Sequence, residues 1–209
     1  MKREKVLEAY SEYISEFNER PKSIAAFAKN IQLEESDIYE HYASFSIMEA
    51  QIMNHFVENA ISLTRESLNE LNHAIAKESL LTFYYSLSEV LTANRSLVLF
   101  LMRAEKTHSM NLKKLKVAKS SFLQFFNDLN YDIVALSFIP DSAIKAKTKE
   151  TAVWGQFCSI LFYWLKDESP NFEKTDVFIE KSLKLTFDIA ESNVAESFID
   201  FGKFLFKKT

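Results

Sequence analysis

The chain has 209 residues, 47% of them hydrophobic and 26% charged, and a net charge of −4. That much apolar material supports a sizeable core and excludes a disordered chain, while two glycines and three prolines exclude a protein built of many hairpins. One cysteine, Cys158, excludes an intrachain disulfide or a multi-cysteine metal site and fits a reducing compartment, and the negative balance gives no global pull toward nucleic acid.

The opening MKREKVLEAY is basic but leads into an amphipathic pattern, so it does not read as a signal peptide. Val6, Leu7, Tyr10, Ile14 and Phe17 recur at spacings of three and four and predict a first helix ended by Pro21. Ser23 is placed to cap a short helix through Ile24, Ala25, Phe27 and Ala28. After a turn near 30–33, a second short helix is predicted from Glu35 to about His41, with Ile38 and Tyr39 inward. Two short helices across a tight turn make a helix-turn-helix candidate.

A long amphipathic pattern then runs from Ser46 to about Asn72, with Ile47, Met48, Ile52, Phe56, Ile61, Leu68 and Leu71 as its expected buried positions. Further helices are predicted over Glu78 to Thr92, Arg95 to Lys106, Leu112 to Leu129, Ile144 to Lys166, Phe172 to Glu191 and Val194 to Phe206. Asn94, the Asn130 to Pro140 stretch and Ser169-Pro170 mark breaks. The longest apolar runs, Leu97 to Met102 and Ile160 to Leu165, are far short of the ~20 residues that span a bilayer. The expectation is an all-α, cytoplasmic protein.

The stretch SIAAFAKNIQLEESDIYEHYASFSIMEAQI resembles, without gaps, the N-terminal pattern of the TetR family of transcriptional regulators. In that pattern a small-residue helix is followed by a turn with a Gly-hydrophobic pair and a short recognition helix closing in an aromatic-x-His-aromatic group. Leu33 takes the hydrophobic turn position, Ile38 and Tyr39 the buried recognition-helix positions, and His41 and Tyr42 the closing pair. The resemblance implies a TetR-like fold: a three-helix DNA-binding domain over residues 1–46, then a larger helical bundle over 47–209 for ligand binding and dimerisation. It also implies DNA contacts from Lys2, Arg3, Lys22, Ser23, Lys29, Glu35, Ser36, Asp37, Tyr39, Glu40, His41 and Tyr42. A homodimer through the last two main helices follows, with Trp154, Cys158, Leu161, Phe162, Leu165, Phe178, Leu183 and Phe187 at the interface. Intramolecular core is the alternative for those apolar stripes.

The charge of the N-terminal region departs from that pattern. Residues 1–45 carry six basic groups against nine acidic, a net of −3. Glu34, Glu35, Asp37 and Glu40 lie in or beside the recognition helix, where they suit the helix dipole but repel phosphate. Phe45 stands where family members commonly place a Lys. Acidic side chains do accept from cytosine N4, so a specific mode stays open.

The nineteen Phe residues point to an aromatic core or an aromatic pocket. Phe83, Tyr84, Phe100, Met102, Phe122, Phe125, Phe126 and Phe157 are the candidates to line a pocket for an apolar or aromatic small molecule, with ordinary core as the equal alternative. Arg103, Lys106, Lys113, Lys114, Lys116 and Lys119 form a basic stretch, read as a solvated face or as a partner for an anionic head group. Glu70-x-x-His73 and Glu105-x-x-His108 have a metal-ligand spacing but read as surface pairs, so no metal or cofactor is assigned. No nucleophile context supports catalysis, and a non-enzyme is expected. The aromatic C-terminal segment with Lys203, Lys207 and Lys208 has the makings of an interfacial helix, although packing within the protein is the leading expectation. Lipid-binding proteins of ubiquinone biosynthesis are similar in architecture. Two readings follow: a ligand-responsive TetR-like regulator, or a TetR-fold lipid or small-molecule binding protein without DNA binding.

Overall fold

The computed structural model describes residues 2–69, 76–103, 112–131 and 141–191, and the regular elements among them are helical. They are α1 (Lys2–Phe17), α2 (Ile24–Asn30), α3 (Glu35–Tyr39), α4 (Phe45–Asn69), α5 (Ala76–Ala93) and α6 (Arg95–Met102), then α7 (Lys116–Asp128), α8 (Ser142–Lys166) and α9 (Glu173–Glu191). Short 3-10 turns, Leu112–Leu115 and Pro170–Phe172, precede α7 and α9. The predicted C-terminal helix and both Glu-x-x-His pairs lie outside the described residues. No described helix is long and apolar enough to cross a membrane.

Local chemistry sets the helix ends. α1 stops at Phe17 rather than at Pro21, because Asn18 takes a left-handed conformation (φ 50) and its N–H returns to the Ile14 carbonyl at 2.8 Å. Asparagine tolerates that conformation better than most residues. α8 begins at Ser142, ahead of the expected Ile144, because the Asp141 carboxylate accepts from the Ala143 and Ile144 N–H groups at 2.9 and 3.0 Å. On α4, Met48 and Ile52 are buried as the periodicity predicts, whereas Ile47 is 44% exposed. The true inward stripe runs Met48, Glu49, Ile52, Met53, Val57 and Ala60, one position displaced from Ile47 and carrying a glutamate.

The chain forms two compact units. The first comprises residues 1–63 and 86–122, and so joins α1, α2 and α3 to most of α4, the end of α5, α6 and the start of α7. Its core includes Tyr10, Phe27, Ile38, Tyr42, Met48, Val98, Leu101, Leu115 and Phe122. The buried Asn54 of α4 accepts from the Ser121 hydroxyl of α7 at 2.8 Å, so this polar group inside the first unit is satisfied.

The second unit comprises residues 64–85 and 123–209. Its core is built on Phe83, Tyr84, Phe125, Phe126, Phe157, Trp164, Ile179, Leu183 and Phe187. The connection from α8 to α9 is fixed by Asp167, which is 4% exposed. Its carboxylate accepts from the Ser169 N–H and hydroxyl at 2.8 and 2.6 Å and from the Thr175 N–H and hydroxyl at 2.8 and 2.7 Å. Burial pushes its pKa up, but these four hydrogen bonds outweigh it and hold the group at about 2.

Candidate nucleic-acid interface

α2 and α3 are each too short to be stable alone, so capping and packing hold them. The Ser23 hydroxyl accepts from the Ala26 N–H at 3.1 Å, as its position predicts. At the other end of α2, Ile31 and Leu33 donate back to Phe27 and Ala28 at 3.1 and 2.9 Å, closing the helix. The turn passes through Gln32 at φ 56, a left-handed residue where glycine is favoured. α3 is started by Asp37, whose carboxylate accepts from the Glu34 N–H at 3.1 Å. Beneath the pair, Tyr10, Phe27 and Phe45 form an aromatic cluster, with Tyr10 stacked on Phe45 at 5.1 Å and edge-on to Phe27 at 5.5 Å. The residue that stands in a phosphate-binding lysine's place is therefore part of the packing.

The twelve DNA-contact candidates separate into three groups. Lys22, Lys29, Glu35, Ser36, Tyr39 and Glu40 are exposed; Tyr39, at 51%, corrects the expectation that it points inward with Ile38, which alone of the two is buried, at 0%. Partial desolvation and the hydrogen-bonded Glu35 carboxylate raise the Tyr39 hydroxyl above its ordinary range. Ser23 and Asp37 are committed to capping. Tyr42 is a correction: it is 1% exposed, and its hydroxyl donates to the Arg3 carbonyl at 3.3 Å and accepts from Arg3 Nε at 3.2 Å. Arg3 also lies over the Tyr42 ring at 5.6 Å, so it is docked on α1's own unit rather than extended as an arm. The Nε2 atom of His41 is buried, which withdraws it from a surface contact. The side chain of Lys2 lies outside the described residues.

A cluster that the sequence did not single out lies behind this motif. Glu49 of α4 has no exposure, and its Oε1 accepts from the Tyr10 hydroxyl at 3.0 Å and Arg20 Nε at 2.6 Å. Its Oε2 accepts from Arg20 Nη2 and Lys114 Nζ, both at 2.7 Å. Burial alone raises the Glu49 pKa, but the bonds from Arg20 and Lys114 prevail and hold it below the ordinary value. Burial and then the Glu49 carboxylate push the Tyr10 hydroxyl up, so Tyr10 stays a neutral donor. Lys114 is 7% exposed, which corrects the reading of the basic stretch as a wholly solvated face; Lys113, Lys116 and Lys119 do face water. The available sequence signal was Glu49 sitting at the inward phase of α4.

The first unit also has a groove of about 360 Å³ between α1 and α4, lined by Glu4, Leu7, Glu8, Ser11, Ile52, His55 and Phe56. None of the expected ligand-pocket residues belongs to it. Of those, Phe83, Tyr84, Phe125, Phe126 and Phe157 belong to the second unit, where the Phe83 ring lies 5.2 Å from Tyr84, 5.3 Å from Phe125 and 6.4 Å from Phe157. Phe100, Met102 and Phe122 belong to the first unit.

Among the interface candidates, Leu161, Leu183 and Phe187 are at most 3% exposed and belong to the core of a single chain, a correction to their assignment. Trp154, which stacks on Phe157 at 4.9 Å, and Cys158, Leu165 and Phe178 are half-buried, while Phe162 is 40% exposed. Sequence periodicity missed the more exposed apolar residues of α9, namely Val177, Leu185 and Ile189 at 47%, 61% and 46%. Among the described residues, no cluster of His, Cys, Asp and Glu is arranged to hold a metal ion.

A family model described as tetracyclin repressor-like, C-terminal domain, matches residues 79–205, more than half of the chain. No curated protein matches the sequence.

Proposed function

The chain belongs to the TetR family of regulators, and from that membership we propose a homodimeric, ligand-responsive regulator that contacts DNA through α2 and α3. The observation that carries the DNA reading is the capped helix pair itself: α2 and α3 are locked around the Gln32–Leu33 turn, with Lys22, Lys29, Ser36 and Tyr39 outward. Lysines and neutral donors of this kind supply phosphate contacts, and α3 supplies base contacts. Dimerisation is assigned to α8 and α9, where Phe162, Val177, Leu185 and Ile189 stay exposed and a Cβ placed on Gly155 meets nothing within 4 Å beyond its own stretch of helix. A glycine in an exposed helix interior weakens a lone helix, so its presence fits close approach by a partner helix. An apolar or aromatic ligand is assigned to the aromatic cluster of Phe83, Tyr84, Phe125, Phe126 and Phe157. A ligand that prefers one spacing of the dimer's two DNA-contacting motifs shifts DNA affinity.

The exposed Glu34, Glu35 and Glu40 favour a second reading, a TetR-fold small-molecule or lipid binding protein that has given up DNA. A gel-shift assay with DNA flanking the protein's own gene, at two salt concentrations, separates them. The regulator gives a sequence-specific shift at low salt that weakens as salt rises. No specific shift at low salt overturns the regulator and leaves the second reading.

A further inference from the structure

We propose that Lys114 is a positioning residue for the helix-turn-helix, tying the segment after α6 to the α1–α2 loop through the single carboxylate of Glu49. The inference rests on the reading of α2 and α3 as the functional motif. Glu49 joins three parts of the first unit: α1 through Tyr10, the loop before α2 through Arg20, and the 3-10 turn before α7 through Lys114. Arg20 stands three residues before the Ser23 cap and is followed by the buried Pro21, so its anchorage fixes where α2 begins. Leu115, next to Lys114, is fully buried, and α6 packs against both this 3-10 turn and α1. A shift of α6 or of the turn therefore reaches the motif through Lys114 as well as through α1.

Charge marks Lys114 as the member with a linking role. Two cations share one buried carboxylate, and Arg20 with Tyr10 already gives Glu49 three hydrogen bonds. Lys114 is not needed to neutralise it, and burying its ammonium is costly. A buried ion pair adds little net stability once its desolvation is counted, so the role assigned to Lys114 is to fix one arrangement. Removing Lys114 leaves Glu49 paired with Arg20 and Tyr10, whereas removing Glu49 takes the carboxylate away from the buried Lys114 ammonium. Lys114→Met is thus the variant that cuts the tie and keeps the fold.

Amide hydrogen exchange on the full chain tests this without DNA. Lys114→Met should speed exchange across residues 18–31 by about tenfold, the effect of losing one charge-assisted hydrogen bond on a local opening equilibrium. α8 and α9 should not change, and Lys114→Arg should restore the wild-type pattern. In a Glu49→Gln background the same Met substitution should have a much smaller effect on residues 18–31, because the tie is already cut. A change confined to residues 112–118, or one spread evenly over the chain, overturns the proposal. Repeating the experiment with DNA from around the protein's own gene separates the two ideas: no binding by the wild-type chain overturns the regulator reading, while the DNA-free exchange pattern decides the tie.

Discussion

At the scale of single residues, Gln32 holds a φ of 56 in the turn between α2 and α3, a conformation that costs a side-chain-bearing residue about 1–2 kcal/mol. Gln32→Gly relieves that strain and gives back part of the gain as unfolded-chain entropy, so a net stabilisation of about 0.5–1 kcal/mol is expected. For a chain of this size a thermal melt should rise by roughly 2 °C. Asp167 is set against solvent conditions instead. Its folded pKa of about 2 lies below the ordinary 3.8, so its contribution is complete above the ordinary value and is lost as pH falls toward 2. Asp167→Ala removes four hydrogen bonds and should cost about 2 kcal/mol near neutral pH. Melts of both proteins should differ at pH 6 and converge as pH falls toward 2; a gap that stays constant with pH contradicts this assignment.

At the scale of helices, periodicity located the elements well because each buries one stripe, and Ser23 was legible because a hydroxyl just before an apolar run has one local use. Their limits were less legible. Asn18 ends α1 by its backbone conformation, which composition alone does not reveal, and Asp141 extends α8 beyond its apolar pattern. The stripes of α8 and α9 misled for a different reason. A helix packed on its own unit shows the same repeat as one packed on a partner, so Leu161, Leu183 and Phe187 could not be told from interface residues until burial was known. Outward on these two helices are Ile144, Phe162, Val177, Leu185, Ile189 and Gly155. Gly155→Glu discriminates by sign. In an isolated protomer it removes a helix-interior glycine and stabilises by about 0.5–1 kcal/mol, whereas at a dimer interface it places a carboxylate against the partner. Light scattering at micromolar concentration should show a shift from dimer to monomer with helical circular dichroism retained; an unchanged mass removes Gly155 from the interface.

For the molecule as a whole, the question is whether a chain of net charge −4 with Glu34, Glu35, Asp37 and Glu40 in or beside α3 meets a polyanion at all. The acidity was plain in the sequence, but the division of labour among the carboxylates was not, because it depends on where α3 starts. Asp37 accepts from the Glu34 N–H and serves the fold, while Glu35 and Glu40 face water. Replacing Asp37 therefore tests the wrong thing: Asp37→Thr weakens a cap and should cost up to about 1 kcal/mol of stability. Glu35→Lys with Glu40→Lys leaves the cap intact and converts two repulsive charges into two attractive ones. Affinity for DNA should rise by about tenfold or more at low salt, and each new phosphate contact should steepen the slope of log K against log salt by about 0.9. The control is DNA of scrambled sequence. If the chain reads sequence, both variant and wild type prefer the fragment from the protein's own locus, and the substitution raises affinity on top of that preference. If the fold has given up DNA, the variant gains equally on both fragments, because the added lysines then supply phosphate attraction without any base contact to rank one sequence above another.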